Sequence, residues 1–139
     1  MPDMFSVERK VGRLVEVVIR DSFPLEEVEG MIRLVRLEFL SSSEGVVLCA
    51  IFDGVKFVHP DAAAPLVEML KRDNPKLVRA GYRINQRFGT FAMFIDRVVR
   101  EAKNPQRRWF DNSAELRGFL GEVLTKPEAT RLDELLEKI

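Results

Sequence analysis

Nucleophilic catalysis by a thiolate needs an adjacent base and access to substrate. The chain offers one cysteine and one histidine for such a pair, Cys49 and His59. Their settings speak against it. Cys49 lies within Val46-Val47-Leu48-Cys49-Ala50-Ile51-Phe52, where a cysteine behaves as a small buried hydrophobe, and His59 falls in a loop or at a helix start. A zinc ion takes several nitrogen, sulfur or carboxylate ligands, and His59 has no neighbours to complete a set. No catalytic residue, metal ligand or cofactor is assigned, and the expectation is a protein that is not an enzyme. The segment from Asp53 to Asp61 is more distinctive: it places Asp53, Lys56, His59 and Asp61 within nine residues at the end of an apolar run. Asp53 followed by Gly54 reads as turn chemistry. Loops at strand ends of open α/β sheets also build binding sites, and both readings of Asp53 stay open.

The elements that must position these residues alternate between strand and helix patterns, which predicts an α/β protein with helices packed on a mixed sheet. Met4 to Glu8 and Leu14 to Arg20 read as strands around a hairpin turn at Lys10-Val11-Gly12-Arg13. Asp21-Ser22-Phe23-Pro24 starts a helix with Ser22 as candidate N-cap, and Leu25, Val28, Ile32, Val35 and Phe39 form its apolar face. Gly45 to Phe52 lacks polar alternation, which fits a central strand covered on both faces. A helix over about Asp61 to Arg72 is stopped by Asp73-Asn74-Pro75, and Lys76 to Tyr82 is the next strand. Thr90, a possible cap, opens a helix to Lys103, with Met93 and Phe94 partly outside its apolar stripe. Arg107 to Phe110 is a last short strand before a helix capped by Asn112 or Ser113. The end, about 127–139, is helical, and its Leu132, Leu135, Leu136 and Ile139 either dock on the domain or pair with a second copy as a homodimer.

Length and composition match one domain over residues 1–139, since 139 residues with 46% hydrophobic content can bury one sizeable core. No apolar run approaches the roughly 18 residues of a membrane span, and no basic and apolar leader opens the chain. With a single cysteine, a reducing compartment is expected, and hence a cytoplasmic location.

Two segments carry a family resemblance. Asp53-Gly54-Val55-Lys56-Phe57-Val58-His59-Pro60-Asp61-Ala62 resembles the switch segment of STAS (anti-sigma-factor-antagonist-like) domains: an aspartate-ended core strand, valine, phenylalanine, an apolar residue, then a polar triplet opening a helix. Asn104 to Leu116, with Trp109-Phe110-Asp111, is similar to the SpoIIAA-like branch. The resemblance covers roughly Leu14 to Leu124. It implies a non-enzymatic, cytoplasmic protein-interaction module that binds a regulatory partner. In members that act as phospho-switches, a serine or threonine in the triplet is phosphorylated. Here the triplet is His59-Pro60-Asp61, which has no hydroxyl. Asp61 then has two readings, an N-cap of the second helix or a fixed negative charge, about one unit against the roughly two of phosphoserine.

The chain carries 22 basic and 22 acidic side chains, yet residues 71–110 hold eleven Lys and Arg against three acids, a local excess of +8. Arg79 and Arg83 share a face of their strand, as Arg97 and Arg100 do on the next helix. This predicts a solvated basic face or one that meets an acidic partner. A nucleic-acid target finds no recognised motif and a sequence pI of only about 6.6. The resulting expectation is docking through Asp53, Lys56, His59, Asp61, Arg83 and Arg87. The alternatives are a small-ligand or lipid-binding module of SEC14-like layout, which requires an apolar pocket between the sheet and the third helix, and an anionic-partner binder using 71–110.

Overall fold

The computed structural model describes residues 5–87 and 89–139. Met4 and Phe88, which belong to the first strand expected from the sequence and to the approach to the third helix, lie outside the described residues. Five strands form one sheet in the order β1 (Phe5–Val11), β2 (Leu14–Arg20), β3 (Val46–Asp53), β4 (Leu77–Arg83) and β5 (Arg107–Phe110). β1 is antiparallel to β2, and every later neighbour is parallel.

Parallel neighbours joined in chain order need crossover helices, and the right-handed preference puts them all on one face. α1 (Leu25–Ser41), α2 (Ala63–Asp73) and α3 (Thr90–Glu101) accordingly share one core with Val17, Leu48, Phe52 and Tyr82. α4 (Ser113–Gly121) and α5 (Lys126–Glu137) cover the opposite face, where Leu116, Leu120, Leu132 and Leu135 meet Leu14, Val47, Cys49 and Ile51. The central position of β3 and its lack of polar alternation are thus one fact: both faces are roofed by helices. Gly81 of β4 serves the second roof, because a Cβ there would overlap the Leu116 side chain.

Several boundaries differ from the expectation. Lys10 and Val11 continue β1, so the turn is only Gly12-Arg13, with Gly12 at φ +58°. Ser22 does not cap α1; Pro24 occupies the N-cap position without a side-chain bond, and Glu26 and Glu27 face the positive helix end. The second helix is preceded by a 3₁₀ turn over Pro60–Ala62. Gly89, not Thr90, is the N-cap of α3, and that helix stops at Glu101 before Lys103 takes φ 54°. Asn112 caps α4 as expected, its Oδ1 accepting from the Glu115 N–H at 2.8 Å. The C-terminal helix docks on its own sheet through Leu132 and Leu135.

Candidate functional site

The parallel strands all end at one edge of the sheet, so the loops after them form a single rim. Backbone bonds lace it: Asp21 N–H donates to Asp53 O at 2.8 Å, and Ile84 N–H to Phe110 O at 2.9 Å. The Gly54 N–H donates to Asn85 Oδ1 at 3.1 Å. Gly54 adopts φ +76°, where its Cβ-free backbone also clears Asp21.

Of the residues expected to bind a partner, the structure gathers most on this rim. Lys56, His59 and Asp61 are exposed together on the β3–α2 connection, and Asp53 ends β3 half-buried. Arg87 is exposed on the β4–α3 connection, but its guanidinium is paired with Asp111, Nε to Oδ2 at 3.0 Å and Nη2 to Oδ1 at 3.3 Å. That pairing raises the Arg87 pKa and holds the Asp111 carboxyl below its ordinary value. Arg83 falls outside the group. Sharing strand parity with Gly81, it belongs to the α4 side of the sheet, where Nη1 donates to Ile84 O at 2.8 Å and Nε is buried without a hydrogen-bond partner.

The capping reading of Asp61 is corrected. His59 Nδ1 accepts the Asp61 N–H at 3.0 Å, so His59 supplies the cap of the 3₁₀ turn. The Asp61 carboxylate is left pointing out, with Oδ2 3.7 Å from His59 Nδ1 and the side chain 76% exposed.

Two apolar side chains complete the rim. Phe57 is 63% exposed and Met93 73%. Val55 and Val58, three residues apart, are both buried and turn the intervening Lys56 and Phe57 outward. A cleft of about 220 Å³ separates their segments, lined by Lys56, Asn85, Gln86, Gly89, Thr90 and Ala92 among others. Phe57 follows Lys56 in the chain and Met93 follows Ala92, so each side of this mixed polar and apolar cleft is next in sequence to an exposed apolar residue. The signal for Phe57 in the sequence is that i to i+3 spacing of the two valines within the loop that follows β3.

The basic excess of 71–110 does not form a continuous face. Arg107 is buried and donates to Asn74, Tyr82 and Leu70. Arg79 stacks 4.4 Å from the Phe119 ring centroid and pairs with Glu122. Arg97 and Arg100 bond Glu101 and Asp96 one turn away, and Lys76 donates to Phe39 O.

Cys49 is fully buried in the α4/α5 core, and burial, reinforced by the Glu16 charge, pushes its thiol up to about 12. A thiol reagent at pH 8 is expected to leave the native protein unmodified and to titrate one thiol after denaturant is added; stoichiometric reaction of the native chain within the mixing time would contradict this burial. Among the described residues no group of three or more His, Cys, Asp or Glu could hold a metal ion, and no helix is long and apolar enough to cross a membrane.

No family model, curated protein or solved structure matches the chain.

Proposed function

We propose that the chain is a protein-docking module of the STAS or SpoIIAA-like type, binding a regulatory partner through the rim at the C-terminal edge of its sheet. The observation that carries this reading is Phe57. A phenylalanine held 63% exposed between two buried valines gives up burial that its loop could otherwise use. Aromatic side chains are the commonest anchors of protein interfaces. Around Phe57 stand Lys56, His59 and Asp61, all exposed, which supply the polar rim such an anchor requires.

The fixed Asp61 charge and the lack of a hydroxyl in the triplet make this docking independent of phosphorylation there. The α/β layout, a mixed sheet with helices on both faces, is consistent with the resemblance. Binding is not routed through the basic segment, whose guanidiniums are largely engaged within the fold.

The test is affinity purification of the tagged full chain against its Phe57→Glu variant, followed by measured affinity for each retained protein. Loss of a hot-spot aromatic costs about 2 kcal/mol or more, so partners are expected to bind at least roughly thirtyfold more weakly to the variant. Phe57 is exposed, and the variant should unfold at the same temperature as the parent. Partners that bind both proteins equally would overturn the assignment of this surface.

A further inference from the structure

Three of the large hydrophobic side chains left exposed belong to one helix: Leu34 is 42% exposed, Leu37 60% and Leu40 58%. They recur at three-residue steps on the outer side of α1, where a surface helix normally carries polar residues. Contacts on either side of them fix which way this patch faces. Gly30, four residues before Leu34, lies against Phe5, whose ring an added Cβ would meet at 3.3 Å. Glu38 and Ser41 hold Arg9, with Nε 3.0 Å from Glu38 Oε2 and Nη2 donating to Ser41 Oγ at 3.1 Å. Leu34 and Leu37 stand between these contacts at helical spacing, so the patch adjoins β1.

β1 is itself open. Among the described residues it pairs on one side only, with β2. Alternate residues of such an edge strand direct N–H and C=O groups outward, a template for another strand. Charge usually protects an edge, but the charges here complement one another. Glu8 and Lys10 share a face, Lys10 Nζ standing 3.0 Å from Glu8 Oε2. When a second β1 is laid antiparallel with Arg9 on the two-fold axis, Glu8 of each copy falls opposite Lys10 of the other. The two Arg9 guanidiniums approach the axis already paired with Glu38. Because Arg9 is held by Glu38 and Ser41, the same axis passes beside the leucines and brings the patch of one α1 toward that of its copy.

We infer that the chain forms a two-fold homodimer through the β1 edge and the exposed face of α1 that carries Leu34, Leu37 and Leu40. A second copy is the occupant because two independent features, the strand charges and the leucine patch, select the same axis. The sheet then continues from one copy into the other. This surface is separate from the docking rim and does not depend on it.

Sedimentation equilibrium of the full chain should give a mass that rises with concentration from 16.0 kDa to twice that value. Leu37→Glu places a charge in each of the paired patches and should weaken the dimer roughly a hundredfold or more. Lys10→Glu sets like charges opposite each other and should weaken it roughly tenfold or more. The exchange Glu8→Lys with Lys10→Glu should restore the affinity to within a few-fold of the parent's, and Phe57→Glu should leave it unchanged. Circular dichroism checks that each variant is folded, and the half-exposed Lys10 side chain makes Lys10→Glu the test should Leu37→Glu not fold. A parent that stays at 16.0 kDa at every concentration, a folded Leu37→Glu or Lys10→Glu as dimeric as the parent, a charge exchange no tighter than Lys10→Glu, or loss of the dimer in Phe57→Glu overturns the proposal.

Discussion

Replacing Arg131 by alanine is expected to lower the unfolding free energy by about 3–5 kcal/mol, the cost of leaving a buried charge without its partner. Arg131 of α5 donates Nε to Glu16 Oε2 and Nη2 to Glu16 Oε1, both at 2.8 Å. Glu16 is 3% exposed in the middle of β2, and Arg131 is 9% exposed. Fork-to-fork geometry of this kind is the strong form of the ion pair, and truncation strands the carboxylate under α5. Against a typical total of 5–15 kcal/mol, the loss is a large share of stability. Urea unfolding of parent and variant measures it. The double variant Glu16→Leu with Arg131→Met replaces the pair by apolar side chains and should recover most or all of the loss, since such swaps are often neutral or stabilising. A loss below about 1 kcal/mol in Arg131→Ala would mean that α5 lifts from β2 and lets water reach Glu16.

That pair also marks the limit of what could be read from the sequence. β3 was legible because an uninterrupted apolar run has few places to go other than a sheet covered on both faces, and α1 because Val28, Val35 and Phe39 repeat at helical spacing. Glu16, set among valines in β2, was a visible anomaly. Its partner lies 115 residues away, and only the folding of α5 back over β2 brings the two together. At His59-Pro60-Asp61 the difficulty was local. Either side chain can accept the free N–H of a helix start, and the backbone geometry at His59 decides in its favour. The charge of 71–110 is contiguous only along the chain: the strands and helices send successive guanidiniums to different faces, where carbonyls, carboxylates and the Phe119 ring receive them. The apolar cavity between the sheet and α1–α3 draws its lining from every strand–helix unit of one core, and no spacing in the sequence encodes such a convergence.

The second anchor of α5 is expected to appear as an acid-sensitive part of the stability. Glu128 is 2% exposed. Its Oε2 accepts from the Arg13 N–H at 2.7 Å and from Arg13 Nε at 3.2 Å, while Oε1 accepts from Arg13 Nη2 at 2.9 Å and from the Thr125 N–H at 2.8 Å. The last bond closes a capping box with Thr125 Oγ1. The carboxylate rests over Gly12, where a Cβ would overlap Oε2, so the hairpin turn needs glycine for space as well as for its φ of +58°. Burial alone would raise the Glu128 pKa. The hydrogen bonds from Arg13 and Thr125 outweigh it and bring the carboxyl down from 4.5 to about 2. Because the folded value is depressed, the stabilisation is fully present above pH 4.5 and is lost as the pH falls toward 2, and at 1.36 kcal/mol per unit it amounts to about 3 kcal/mol. Asp96 and Asp111 are also held below their ordinary values, so the acid limb of the parent is composite and a variant must isolate the Glu128 share. Glu128→Gln does so. At pH 7 it should be less stable than the parent by about 3 kcal/mol in urea unfolding, and the gap should close progressively between pH 4.5 and 2 as the parent's carboxylate takes up its proton. A gap that stays constant across that interval would assign the loss to the shape of the capping box, whereas one that closes assigns it to the charge that ties α5 to the β1–β2 turn.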